Sequence, residues 1–172
     1  MQISRRFVSQ NDFGIGNDRP CDTNQLLLAA NRRRHGAIEW TPPGGVIEPH
    51  ESIATGMSRE VHEETGLRVS TWLDCHYSVT VDAPDMQWQM RVESWLAADA
   101  SGDISLNDPD GIVEQAVFVD LELVDGLLAD SPPWVRVPVS AWIANGLRPV
   151  GPFAFIVHGP DRSTGRVEQL SP

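Results

Sequence analysis

The chain has 172 residues, a hydrophobic fraction of 41% and a formal net charge of −11, with an isoelectric point near 4.7. Length and apolar content suit one domain, 1–172, with a sizeable core, and the acidity excludes a global basic footprint for polymeric nucleic acid, so an anionic substrate must find local arginines or metal ions. Cys21 and Cys75 form no CxxC or disulfide framework, the N-terminus has no signal-like apolar stretch and no apolar run is long enough for a membrane span, so the expectation is a soluble, cytoplasmic protein.

Residues 9–24 are rich in turn formers and read as loop. Gln25 to Ala30 (QLLLAA) reads as a buried strand running into the basic turn Asn31-Arg32-Arg33-Arg34-His35-Gly36. Ala37 to Trp40 is a short strand. Thr41-Pro42-Pro43-Gly44-Gly45 must be irregular, because proline removes donors and glycine permits unusual dihedrals. Ser52 to Thr65 reads as a helix with Ser52 as N-cap and Gly66 at the C-terminal left-handed position. Leu67 to Val81 follows as strand, with a break expected near Asp74. Met86 to Ala97 alternates, with Met86, Trp88, Met90, Val92 and Leu96 on one face and Gln87, Gln89, Arg91 and Glu93 on the other. Ser101 to Gly111 is a polar loop, and Ile112 to Leu121 another strand. Helices are expected over Glu122–Ala129 and Val139–Asn145. Pro152 to His158 is a last strand or a packed tail, within a 130–172 segment that reads as a helical or tail extension.

The helix at 52–65 carries an electrostatic puzzle. Glu60, Glu63 and Glu64 crowd its C-terminus, where the helix dipole already disfavours negative charge. Projected at about 100° per residue from Met57, the residues Ile53, Ala54 and Val61 fall within about 60° and form the core stripe. Glu64 lies at about −20°, Glu60 at about −60° and Glu63 at about −120°. Two neighbouring carboxylates therefore lean towards the protein, which is costly unless they are paired, protonated or bound to metal. A hard divalent cation removes the difficulty. A solvated acidic face, braced by Arg59 with Glu63 at i,i+4, is the other reading.

The wider spacing decides between them. Gly45, Glu51, Arg59, Glu60, Val61, Glu63, Glu64, Gly66 and Leu67 reproduce GX5EX7REUXEEXGU, where U is a bulky aliphatic residue, and so the stretch 45–67 resembles the Nudix box at every specified position. Pro42, where an aliphatic residue is usual, and Gly56, where alanine is common, depart from the flanking pattern; glycine in a helix costs about 1 kcal/mol, which points to close packing.

The resemblance implies a mixed α/β (α+β) fold, an α/β/α sandwich with a mixed β-sheet. It implies a Mg2+ or Mn2+ site and hydrolysis of a pyrophosphate bond in a nucleoside diphosphate linked to another moiety. Carried over by position, Glu60 and Glu64 are metal ligands, Glu63 shares a metal or assists through water, and the Gly45 carbonyl is a further ligand. Arg59 orients a glutamate and Glu51 braces the box. A general base comes from the box or from a later loop, and Glu114, at the start of a strand after a loop, is the candidate outside the box, ahead of Glu93. Arg32, Arg34 and, on its strand, Arg91 are candidate phosphate contacts, because arginine offers a fork of donors. Trp40 and Trp88 could stack on a base, with core packing the simpler role.

Pro84 lies near the position of a proline associated with the family's ADP-ribose pyrophosphatases, and a nucleoside triphosphate substrate stands beside that reading. Dimers are common in the family, so a homodimer is open. A catalytically silent nucleotide-sensing or scaffold domain is the alternative function, but a retired enzyme should have lost ligands and this box is intact.

Overall fold

The computed structural model describes residues 24–33, 36–161 and 165–171. The loop expected over 9–24 lies outside the described residues except for Asn24, as do Arg34 and Cys21. Strand β1, Gln25–Arg32, is continuous with the apolar run and extends two residues past its predicted end. Leu26, Leu27, Leu28 and Ala29 are all fully buried, because β1 is the middle of a three-stranded antiparallel sheet, ordered β2-β1-β5 and covered on both faces. Strand β2 is Ile38–Thr41 and β5 is Val113–Asp120. Ala30 pairs with Trp40 on one side, and Leu28 with Val117 on the other.

The helix α1, Ile53–Thr65, begins where expected: the Ser52 hydroxyl accepts from the Thr55 amide at 3.1 Å, and Gly66 closes the helix at φ 79°. Met57 and Val61 are buried, and Val61 packs with Leu27, Leu67 and Val69 in a small cluster on one face of β1. Ala54, expected in the stripe, is exposed. Gly56, outside that stripe, is buried against the loop before the helix: a Cβ there would come within 2.5 Å of Ile47 Cδ1 and 2.6 Å of Glu51 Oε1. That is the close packing which the glycine implied.

Strand β3, Trp72–Ala83, starts later than Leu67. Leu67 and Val69 are used to floor α1, and only an isolated bridge, Arg68 to Ser101, extends the ladder there. Register shifts fall between Trp72 and Cys75 and between Cys75 and Tyr77, the break expected near Asp74. A 3-10 turn over Pro84–Met86 leads into β4, Trp88–Ala97, antiparallel to β3. Met90 and Val92 are buried while Gln89 and Arg91 are exposed, so the alternation holds.

Two helices follow, α2 at Leu121–Leu127 and α3 at Pro133–Ala144. The second starts six residues before the predicted Val139 (139 less 133), because Pro138 does not break it. Proline removes one intrahelical donor, but Trp134, Val139 and Trp142 bury the helix face and outweigh that loss. Pro133 sits at the first helical position, where its missing N–H costs nothing.

Strand β6, Phe153–His158, is parallel to β3, and β7, Arg166–Leu170, is antiparallel to β6. The tail alternative for this segment therefore gives way to a strand, in a mixed four-stranded sheet ordered β4-β3-β6-β7. One core joins the two sheets: Leu26, Leu28 and Val119 meet Val79, Val81 and Phe155, together with Val124, Leu128 and Trp142 of the helical segments. Helix α1 thus covers one face of the three-stranded sheet, and the main core covers the other. No helix among the described residues is long and apolar enough to cross a membrane.

Candidate active site

Every residue of the acidic cluster is placed by the loop 42–52 and by α1. Pro42 and Pro43 are buried and turn the chain off β2. Gly44 and Gly45 then run beside the C-terminal half of α1. The Gly44 amide donates to Glu64 Oε2 at 2.8 Å. A Cβ on Gly45 would collide with the Glu60 carboxylate, reaching its Cδ at 2.5 Å. The loop backbone can approach the Glu60 carboxylate this closely because Gly45 carries no Cβ.

The helical projection ranks the glutamates correctly. Glu64 is buried, at 8% exposure. The Glu60 side chain is 15% exposed and the Glu63 side chain 29%. Burial pushes the Glu60 carboxyl above its ordinary range, and the Arg59 guanidinium offsets only part of that.

Arg59 is the organising cation. Its guanidinium donates to Glu51 Oε1 at 2.7 Å, Glu60 Oε1 at 2.8 Å, Glu63 Oε2 at 3.1 Å and the Val46 carbonyl at 3.0 Å. Its bond to Glu51, with those to Glu60, holds the guanidinium more firmly protonated than usual. The same bond holds the Glu51 carboxyl below its usual range. Glu51 also accepts from the Glu48 amide at 2.8 Å, so it joins the loop to the helix. Arg59 thus bonds three glutamates at once, and Glu51 bonds both the helix and the loop.

Glu60 and Glu63 point at Arg59 in this arrangement. Among the described residues no three acidic, histidine or cysteine side chains stand ready to enclose an ion. The donor set nonetheless fits a hard cation. It consists of carboxylate oxygens beside a backbone kept close by Gly45, among them the half-buried Glu60 carboxyl that burial pushes above its ordinary range.

The helix C-terminus is satisfied by the loop 101–111. The Ser105 amide donates to the Thr65 carbonyl at 2.8 Å, and the Asn107 amide to the Glu63 carbonyl at 3.2 Å. Asp108, which sequence reasoning passed over, gathers the amides of Asp110, Ile112 and Val113 at 3.1, 2.6 and 2.8 Å. An aspartate ahead of Asp-Gly was the available signal. Glu114 follows, on β5, and its carboxylate is engaged by Arg32 Nε. The structure thus brings Arg32 and Glu114 together. It places Arg91 on β4 against Glu93 at 3.2 Å. The pair Arg33–Glu39, at 2.5 Å, was also missed. Trp40 and Trp88 are half-buried against the main core.

A family model described as the NUDIX domain matches residues 19–142. The chain belongs to the NUDIX family. A MutT-like protein of Streptomyces ambofaciens is 54% identical over 43 residues, which are 25% of this chain and 27% of that protein. The matched stretch thus spans about a quarter of that curated relative. Among solved structures, a NUDIX hydrolase from Nitrosomonas europaea superposes with a TM-score of 0.66 at 19% identity, over 87% of this chain and 93% of that one. A MutT protein from Methanosarcina mazei Go1 gives 0.62 at 22% identity, over 84% and 94%. A C. elegans Ap4A hydrolase gives 0.56 at 20% identity, over 84% and 99%. At these identities the superpositions establish a shared NUDIX fold. The family model ends within α3, so β6 and β7, which complete the mixed sheet, lie beyond the matched residues.

Proposed function

We propose that the chain is a Mg2+- or Mn2+-dependent hydrolase that cleaves a pyrophosphate bond in a nucleoside diphosphate linked to another moiety. An ADP-ribose-like molecule or a nucleoside triphosphate is the substrate class. The observation that carries this reading is the pair of inward glutamates, Glu60 and Glu64, gathered against the Gly44-Gly45 backbone, with Glu60 raised by burial. Such a pair is an electrostatic liability unless a cation and an anionic substrate complete it.

Glu60, Glu64 and the Gly45 carbonyl would hold the ion, with Glu63 alongside. Bound there, a divalent ion would supply neutralisation of the phosphate oxygens and a lowered pKa for water. The protein's own part is to orient and to move a proton. Arg59, clamped by Glu51, sets the rotamers of Glu60 and Glu63. Glu114 is the general base. As a water oxygen bonds to phosphorus, its proton passes to the Glu114 carboxylate. The bridging P–O bond breaks, and its electron pair leaves on the departing phosphate oxygen.

Phosphate or nucleotide release is to be measured with Mg2+ over ADP-ribose, dinucleoside polyphosphates, sugar nucleotides and normal and oxidised triphosphates. At least one class is expected to turn over. Glu60→Gln and Glu64→Gln should each fall below about a tenth of wild type, since removing a group that stabilises transition-state charge costs about a hundredfold or more. Unchanged circular dichroism would show that the fold is kept. Activity above that level in both variants would sink the metal-site assignment. Silence across the panel, with metal still bound, would instead make the chain a nucleotide-sensing domain of this fold.

A further inference from the structure

We propose that Arg32 is a positioning residue that aims Glu114 at the reaction centre, rather than a contact to the substrate phosphates. The inference rests on the reading of Glu114 as general base. Its first support is a β-bulge. Along the β1–β5 ladder Ala30 pairs with Gln115 and the next residue, Asn31, pairs with Val113. Glu114 is skipped, so it is the extra residue of β5 and leaves the regular alternation of the strand. Bulges of this kind re-aim one side chain and recur beside active sites.

The backbone around the bulge is held from three sides. The Arg32 amide donates to the Ile112 carbonyl at 2.7 Å. Asp108 Oδ2 accepts from Ile112 and Val113. One residue earlier, the Asn107 amide bonds the carbonyl of Glu63 in the box helix itself. The strand start that bears Glu114 is therefore tied both to β1 and to the end of α1 that carries the acidic cluster.

The torsions of the Glu114 side chain are what this backbone leaves open, and Arg32 closes them. Its Nε donates to Glu114 Oε1, while Nη1 reaches the Gly36 carbonyl at 3.5 Å. The pair is 53% and 39% exposed. An ion pair that exposed contributes about 0–1 kcal/mol to folding, so stability gives little reason for it. Orientation gives a better one, because a base misplaced by about 1 Å can lose about a hundredfold in rate. Arg33, the neighbouring arginine, is already committed to Glu39.

The test is a kinetic cycle with ADP-ribose and dGTP as probes at saturating Mg2+. Arg32→Ala should lower kcat about tenfold or more with KM unchanged, and Arg32→Lys should recover part of it. The double variant Arg32→Ala/Glu114→Gln should be no slower than Glu114→Gln alone. A raised KM at wild-type kcat, or losses that multiply in the double variant, would overturn the proposal in favour of a phosphate contact. Wild-type kcat in Glu114→Gln would remove the general base itself, and the inference with it. A second readout needs no turnover: amide hydrogen exchange in the full chain. Arg32→Ala should leave exchange at residues 112–115 and in α1 unchanged, because the backbone bonds that hold the bulge remain; faster exchange there would make Arg32 a structural prop of the strand and overturn the positioning role.

Discussion

Glu60 shows why an isolated helix would not carry this sequence. Its carboxyl is driven above the ordinary range by burial, with Arg59 opposing. A carboxyl whose folded pKa exceeds its unfolded value binds its proton more tightly in the native state. The stability it contributes is complete below the unfolded pKa and is lost as pH rises through the folded pKa. At neutral pH the ionised Glu60 therefore costs stability that a neutral isostere does not. Glu60→Gln, stripped of metal by chelator, is expected to melt higher than wild type at pH 7. The gap should close as pH falls below the unfolded value. Thermal melts across that range check it; a variant that melts lower at pH 7 would mean that the Arg59 bond, not burial, dominates. The same substitution is expected to remove turnover, so one residue gives up stability for function.

At the level of elements, what the sequence revealed depended on how local the signal was. Helix α1 was legible from cap to cap, because Ser52, the Met57–Val61 stripe and Gly66 are local signals. The inward lean of Glu64 and Glu60 followed from the helical period alone. Four features were not legible. The start of β3 depends on Leu67 and Val69 serving α1, which is a tertiary choice. The length of α3 depends on burial outweighing Pro138. The Arg32–Glu114 pairing depends on residues far apart in the chain meeting through a bulge. Strand β6 is the largest such case, since nothing local says that PFAFIVH lies parallel to β3. Phe155 and Val157 are fully buried there, and two such side chains are worth about 3–6 kcal/mol together, against a usual total stability of about 5–15 kcal/mol. The Val150 amide adds a bond to the His76 carbonyl at 2.8 Å. A chain ending at Gly146 keeps the whole box, yet it is expected to lose its near-ultraviolet circular dichroism and its cooperative melt. A sharp melt near the wild-type temperature would show that β6 and β7 are accessory.

For the whole molecule, charge is the decisive property. A net charge of −11 makes the folded state repel itself, and the acidic cluster concentrates that repulsion at one end of α1. Any salt relieves the diffuse part by screening, with a Debye length of about 10 Å at 0.1 M. Only a cation bound at the cluster relieves the local part, and a ligand bound to the native state alone raises stability by about 2.7 kcal/mol at a hundred times its Kd. The two contributions separate experimentally. At matched ionic strength, MgCl2 or MnCl2 is expected to raise the melting temperature of wild type above the value in KCl. In Glu64→Gln that excess should vanish while the general response to salt remains. Glu64 suits this comparison because it is the most buried of the three glutamates and is held by the Gly44 amide. An excess that survives in Glu64→Gln would place the divalent ion elsewhere on the acidic surface. An excess absent even from wild type would mean that the cluster takes up its ion only together with the diphosphate.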